Sequence, residues 1–166
     1  MRLLPVMIAG SRVRVGLIGR GDGLNRRLDM LAKSGIEPQT ISADAQEEIS
    51  GLTLLFVAGL DEKEAARLAQ DARAAGVLVN VEDMPDLCDF HVPAQIRRGD
   101  LLLAISTSGR APGLARALRE HLETLFGPEW DGILENVASA RQQWRSEGLP
   151  PDEVSQRTRA MLGWLK

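Results

Sequence analysis

Between residues 13 and 107 short apolar runs alternate with amphipathic segments, and that alternation restricts the fold more than any other feature of the chain. A strand buried on both faces reads as a continuous apolar run, and consecutive parallel strands need a crossover, usually a helix, between them. The runs predict strands over 13–18, 38–42, 52–58, 77–81 and 101–106. Leu24, Leu28 and Leu31 recur at helical spacing as far as Gly35, and the Ala-rich stretch 62–75 stops at Gly76. Both segments read as helices that cover a sheet and end at a glycine. The expected class is α/β with a mostly parallel sheet.

The character changes after residue 108. Leu114, Ala117, Leu118, Leu122 and Leu125 mark one apolar face of a helix that ends at Gly127-Pro128. Helices follow over 129–146 and 152–165, separated by the breaker Gly148-Leu-Pro-Pro151, with Val154, Met161, Leu162 and Leu165 on one face of the last. So short an all-helical tail cannot bury a core alone, so it is expected to pack on the sheet domain or on a second copy, and a homodimer is the economical arrangement.

Composition excludes several classes. In 166 residues no apolar run approaches the ~20 needed to cross a bilayer, so no membrane span is expected. The net charge is −3 and Lys/Arg are interspersed with Asp/Glu, which gives no footprint for a nucleic-acid partner. A single cysteine, Cys88, rules out an internal disulfide framework and suits a reducing compartment, so the expected location is cytoplasmic.

The chemistry-bearing stretch nearest the start is Gly19-Arg-Gly-Asp-Gly-Leu24, directly after the first apolar run. In a G-x-G-x-x-G loop the first glycine permits the turn, the second admits the pyrophosphate and the third lets helix and strand approach. Here Gly19 and Gly21 hold the first two places and Leu24 stands at the third, where it is expected to crowd the helix–strand contact, with Gly23 beside it as partial relief. Asp44, just past the second strand, lies about ~20 residues onward, where an acidic residue would meet ribose hydroxyls. A glycine-rich βα turn that binds nothing has the same composition, and the loop alone does not separate the two readings.

A second set of residues follows the fourth strand. Asp83 stands at its C-terminal edge, where ligands bind in open α/β sheets, and a partly buried carboxylate there could accept a proton; a simple turn-former before Met84-Pro85 is the alternative. Cys88 and His91 lack the further ligands of a structural zinc site, and no metal ligand is assigned. Ser106, Thr107, Ser108 and Arg110 form a polar loop at the entry to a helix, suited to carboxylate or phosphate groups, or else to capping free N–H groups.

Val79-Asn-Val-Glu-Asp83, Leu87-Cys-Asp-Phe90, Pro93-Ala94, Ala104-Ile-Ser-Thr-Ser-Gly109 and Leu114-Ala-Arg-x-Leu-Arg119 together resemble the siroheme synthase N-terminal module, the precorrin-2 dehydrogenases that in some members also act as sirohydrochlorin ferrochelatases. The likeness extends more weakly to Gly19–Arg27, against the family pattern G-G-G-x-V-A-x-R-K. It implies a Rossmann-like NAD-binding domain over 1–93, a dimerisation segment over 94–120 and a C-terminal helical region over 121–166. It implies NAD-dependent oxidation of precorrin-2 to sirohydrochlorin, with Asp83 as general base. Nucleotide contacts map onto Gly19, Gly21, Asp22 and Gly23, with Ala43 and Asp44 after the second strand. Ser106, Thr107, Ser108 and Arg110 map to a pocket for the octacarboxylate substrate, and Thr107 stands where the family has a phosphorylatable serine. Fe2+ or Co2+ would enter as substrates of metal insertion. The chain departs from the family at Gly23 and Leu24, at Ala58-Gly-Leu-Asp61 and in the nine-residue link between Ser42 and Leu52. All three lie on the nucleotide side, so a chelatase or a non-catalytic tetrapyrrole-binding relative without NAD use is the rival expectation.

Overall fold

The computed structural model describes residues 3–44 and 46–163. Contacts divide the chain into two units, Met1–Val92 and Pro93–Lys166. The first contains β1 (Val15–Gly19), α1 (Gly21–Ala32), β2 (Gln39–Thr40), β3 (Leu54–Ala58), α2 (Glu62–Ala74) and β4 (Leu78–Val81). Its strands form one parallel sheet in the order β2-β1-β3-β4. This is the expected Rossmann-like α/β arrangement.

Each face of the sheet has its own core. On one, Ile18, Leu55, Val57, Val79 and Val81 pack with Ala65, Leu68, Ala69 and Ala72 of α2; on the other, Val15, Leu17, Leu54 and Phe56 pack with Leu31 of α1. Adjacent strand residues point to opposite faces, so strands covered twice must be apolar throughout, as β3 is. The small side chains of α2 bring that helix close to the sheet. Asp61 caps it by accepting a hydrogen bond from the Glu64 N–H at 2.9 Å. The edge strand β2 is shorter than the run 38–42 because Pro38 has no N–H to donate, although one further bond runs from Ile41 N–H to the Leu17 carbonyl, 3.0 Å.

The second unit corrects one expectation. The run 101–106 does not join the parallel sheet; β6 (Leu101–Ile105) pairs antiparallel with β5 (Ala94–Arg98), a strand absent from the sequence reading. Arg98 lies opposite Leu101, so the hairpin turns on Gly99-Asp100, and a two-residue connection joins antiparallel neighbours without a crossover. Three helices follow: α3 (Pro112–Leu125), α4 (Trp130–Ser146) and α5 (Pro151–Leu162). Arg98 donates from Nε to the Phe126 carbonyl at 2.8 Å, tying the hairpin to the C-terminal end of α3, where a cation is favoured. The expected extension of α5 to 165 and the placement of Leu165 lie outside the described residues. Among the described residues no helix is long and apolar enough to cross a membrane.

Candidate functional site: a glycine crevice beside the Asp83 turn

The strand order reverses between β1 and β3, whose following helices lie on opposite faces of the sheet. A crevice therefore opens beyond their C-terminal ends, the place where open α/β sheets take ligands. Three glycines interlock there. Arg20 donates its N–H to the Ala58 carbonyl at 3.1 Å, and a Cβ at Gly19 would stand 2.5 Å from that same oxygen. A Cβ at Gly59 would collide with the Arg20 carbonyl, and one at Gly23 would lie 2.8 Å from the Gly59 nitrogen.

Gly21 differs. Its φ is 57°, in the left-handed region that favours glycine, and a Cβ there would meet nothing within 4 Å. Open space therefore faces the first residue of α1. Among the described residues no side chain caps that helix, leaving N-terminal N–H groups available to an anion. A dinucleotide pyrophosphate fits this cradle.

The crowding expected of Leu24 does not arise. Gly23, one residue earlier, makes the close approach to β3, while Leu24 packs into the apolar cluster between α1 and the sheet. Ala43 and Asp44 form a turn beyond β2; the Ala43 carbonyl accepts from Arg67 Nη2 of α2 at 2.8 Å, and Asp44 is exposed. The short 43–51 link is anchored by Ile49, which is buried in the α2-side core.

Asp83 lies one residue beyond the last β3–β4 bond, from Glu82 N–H to the Val57 carbonyl at 2.9 Å. Contrary to the partial burial expected of it, it is exposed; it adopts φ 60°, a left-handed conformation that Asp tolerates better than most residues, and it reverses the chain beside the sheet. The returning segment is sewn to β4. Cys88 Sγ accepts from Val81 N–H at 3.2 Å and lies within donating distance of the Val81 and Met84 carbonyls. Asp89 accepts from Val79 N–H at 3.0 Å and from Arg73 Nε at 2.8 Å, and donates its own N–H to the Val79 carbonyl at 2.8 Å. Burial, the largest influence, pushes the Cys88 thiol pKa above its ordinary value. Cys88 is thus a hydrogen-bonded structural thiol that supports the Asp83 turn.

Glu82 is the functional neighbour that sequence reasoning missed. Its carboxylate, with only 14% of the side chain exposed, takes two bonds from Arg26, at 3.4 Å and 3.2 Å, and lies 4.0 Å from Arg27 Nε. A Cβ on Gly23 would lie 2.7 Å from Glu82 Oε2, so the same glycine admits both the β3 backbone and this carboxylate. Glu82 therefore joins the glycine helix to the turn that carries Asp83. The only trace in sequence is an acid before Asp83 and two adjacent arginines in α1, separated by 56 residues. Arg27 lies over the Phe56 ring at 5.7 Å, and among the described residues its Nε and the Oδ1 of buried Asn80 have no hydrogen-bond partner. Asp22, in the first turn of α1, contributes no hydrogen bond to this network among the described contacts.

In the second unit Ser106, Thr107, Ser108 and Arg110 form the β6–α3 loop. Ser106 Oγ accepts from Ser108 N–H at 3.1 Å, and Thr107 Oγ1 accepts from Ala111 N–H at 3.3 Å. Both hydroxyls thus support the loop, while their O–H protons remain available to an acceptor. Ser108 has φ 54°, and Arg110 is exposed.

Residues 6–94 match the family model described as putative NAD(P)-binding, and residues 98–125 match the one described as sirohaem biosynthesis protein central. A siroheme synthase of Methylococcus capsulatus is 32% identical over 171 residues, covering 90% of this chain and 36% of that protein. A siroheme synthase of Pseudomonas fluorescens is 33% identical, covering 95% of this chain and 38% of that one. The chain thus spans little more than a third of the curated relatives it matches. Among solved structures, SirC, a precorrin-2 dehydrogenase, superposes with a TM-score of 0.73 at 18% identity, over 96% of this chain and 89% of that one, a likeness of fold. The interlocked glycines at the sheet's reversal are thus set in a matching sequence context, and the chain belongs to the putative NAD(P)-binding family and resembles the N-terminal module of siroheme synthase.

Proposed function

We propose that the chain is an NAD-dependent precorrin-2 dehydrogenase that forms sirohydrochlorin in siroheme synthesis. The observation that carries this reading is the Glu82 link between an open, uncapped glycine loop and the exposed carboxylate of Asp83. The reaction is precorrin-2 + NAD+ → sirohydrochlorin + NADH + H+. When bound, NAD+ supplies the acceptor for the two electrons and one hydrogen that leave the macrocycle.

The chain's own residues do the rest. Backbone N–H groups of the Gly19–Gly23 loop hold the pyrophosphate, with Asp22 at the same helix entry. Asp44, beside Ala43, takes the ribose hydroxyls and disfavours a 2′-phosphate, which selects NAD over NADP. Asp83 accepts the proton released from the macrocycle, and the Cys88 and Asp89 bonds hold its turn in place. Ser106, Thr107, Ser108 and Arg110 bind substrate carboxylates through O–H donors and a guanidinium. The working unit is a homodimer, a reading supported by the exposed apolar stripe Leu114, Leu118 and Leu125 along α3.

Purified protein given precorrin-2 and NAD+ should yield sirohydrochlorin and NADH in equal amounts. Asp83→Asn should lower kcat by about 10²–10⁴-fold with NAD+ affinity unchanged. A folded protein that metallates sirohydrochlorin with Fe2+ or Co2+ but never forms NADH would replace this reading with that of a chelatase.

A further inference from the structure

The helices that follow β1 and β3 lie on opposite faces of the sheet, α1 over Leu17 and Phe56 and α2 over Ile18 and Val57. One ion pair joins their entries. Arg20, the residue before α1, donates from Nη2 to Glu64 Oε1 in the first turn of α2 at 2.7 Å. A bond from the entry of one helix to the first turn of the other passes over the C-terminal edge of the sheet, between the ends of β1 and β3. That is the mouth of the glycine crevice.

The backbone fixes both ends of this bridge. Arg20 N–H is held by the Ala58 carbonyl at 3.1 Å and the Arg20 carbonyl packs against Gly59, while Glu64 N–H is held by the Asp61 carboxylate at 2.9 Å. The guanidinium and the carboxylate therefore meet at a set place. Arg20 is exposed and Glu64 partly so, and a pair in contact with water gains little from its attraction.

Strand order gives the bridge its consequence. In the sheet β2-β1-β3-β4, Asp44 lies beyond one outer strand and Asp83 beyond the other. A ligand extended from Asp44 to Asp83 runs along the C-terminal edge and crosses the ends of β1 and β3, so its path and the Arg20–Glu64 bond intersect. A weak bond on that path is exchangeable. A phosphate beside the uncapped N–H groups of α1 offers Arg20 another anionic partner, and the Glu64 carboxylate, once released, repels it.

We propose that Arg20 is a phosphate-binding residue of the dinucleotide crevice held in reserve by Glu64, and that Glu64 competes with the pyrophosphate for it. The proposal rests on the dinucleotide reading above and assigns two side chains to the control of affinity at that site.

Calorimetric titration of the full chain with NAD+ tests it on wild type, E64Q, R20Q and R20Q/E64Q, with circular dichroism of each variant to establish the fold. E64Q should bind about two- to fivefold tighter than wild type, and R20Q roughly tenfold more weakly. The gain from E64Q should vanish in R20Q/E64Q, because Glu64 acts through Arg20. E62Q removes the same charge from the same turn of α2, without a bond to Arg20 among the described residues, and should stay within about twofold of wild type. ADP-ribose, which keeps the pyrophosphate and lacks the nicotinamide, should rank the variants in the same order. Equal affinities in wild type, E64Q and R20Q, or tighter binding by R20Q, would overturn the exchange and leave the dinucleotide reading standing. A gain from E64Q that persists without Arg20, or that E62Q reproduces, would overturn it as well. Uptake of no dinucleotide by any folded variant would remove both claims, whereas uptake by E64Q alone would support the exchange, since Glu64 would then be what closes the crevice.

Discussion

Gly23 is the residue on which the nucleotide crevice turns. Gly23→Ala would drive a methyl against the Gly59 backbone, at 2.8 Å from its nitrogen and 3.1 Å from its Cα, where no flexible side chain can yield. The expected cost is about 1–3 kcal/mol, read as a fall in urea midpoint, together with weaker NAD+ binding. Gly21→Ala meets no neighbour and loses only the ease of φ 57°, so its cost should be smaller, about 1 kcal/mol. The opposite ranking would contradict the division of roles between the two glycines. Cys88 supplies a prediction of another kind. Because burial raises its thiol pKa, the thiolate needed for alkylation is scarcer, and at mildly alkaline pH it should react with iodoacetamide more slowly than a free thiol. The rate should rise to the free-thiol value on unfolding; an equal rate in both states would show that the thiol is not held as described. The sign for stability follows: a thiol whose folded pKa is raised contributes fully below the unfolded pKa of about 8.5 and loses that contribution as pH climbs through the folded value.

At the scale of elements, the segment after β4 is held by side chains instead of a ladder. Asp89→Ala would leave Val79 N–H and Arg73 Nε without their acceptor, Arg73 Nη2 keeping the Leu87 carbonyl, and should cost about 1–3 kcal/mol, with faster amide exchange across 84–89 than in β3. Uniform exchange across both would contradict that account. The βα units were legible because their periodicities are local: Leu24–Leu28–Leu31 and the alanines of α2 declare the buried face without knowledge of the partner. β5 was not legible, since in Ala-Gln-Ile-Arg-Arg only Ile96 is buried, and a strand covered on one side shows too little contrast over five residues. Its absence from the reading misassigned β6, whose apolar run looks twice-covered although its residues are half-buried and Ala104 is exposed. Glu82 was hidden for a different reason: its partners lie on another element, and no pattern within β4 reports them.

At the scale of the whole molecule, the exposed stripe on α3 and the dinucleotide crevice make separate claims. Leu114, Leu118 and Leu125 are 55%, 40% and 56% exposed, which is costly for a helix face unless a second copy covers it. Sedimentation should find a dimer, and L118D/L125D should convert it to a folded monomer; a wild-type monomer at working concentration would remove the dimer from the account. The central claim is that the reversal between β1 and β3 holds a nicotinamide dinucleotide and, through Asp44, prefers the one without a 2′-phosphate. Isothermal titration of the full chain with NAD+ and then NADP+ tests it most directly. Saturable binding of one NAD+ per chain, tighter than NADP+ and weakened in Gly23→Ala, is the predicted result; a folded protein that takes up neither dinucleotide would contradict it.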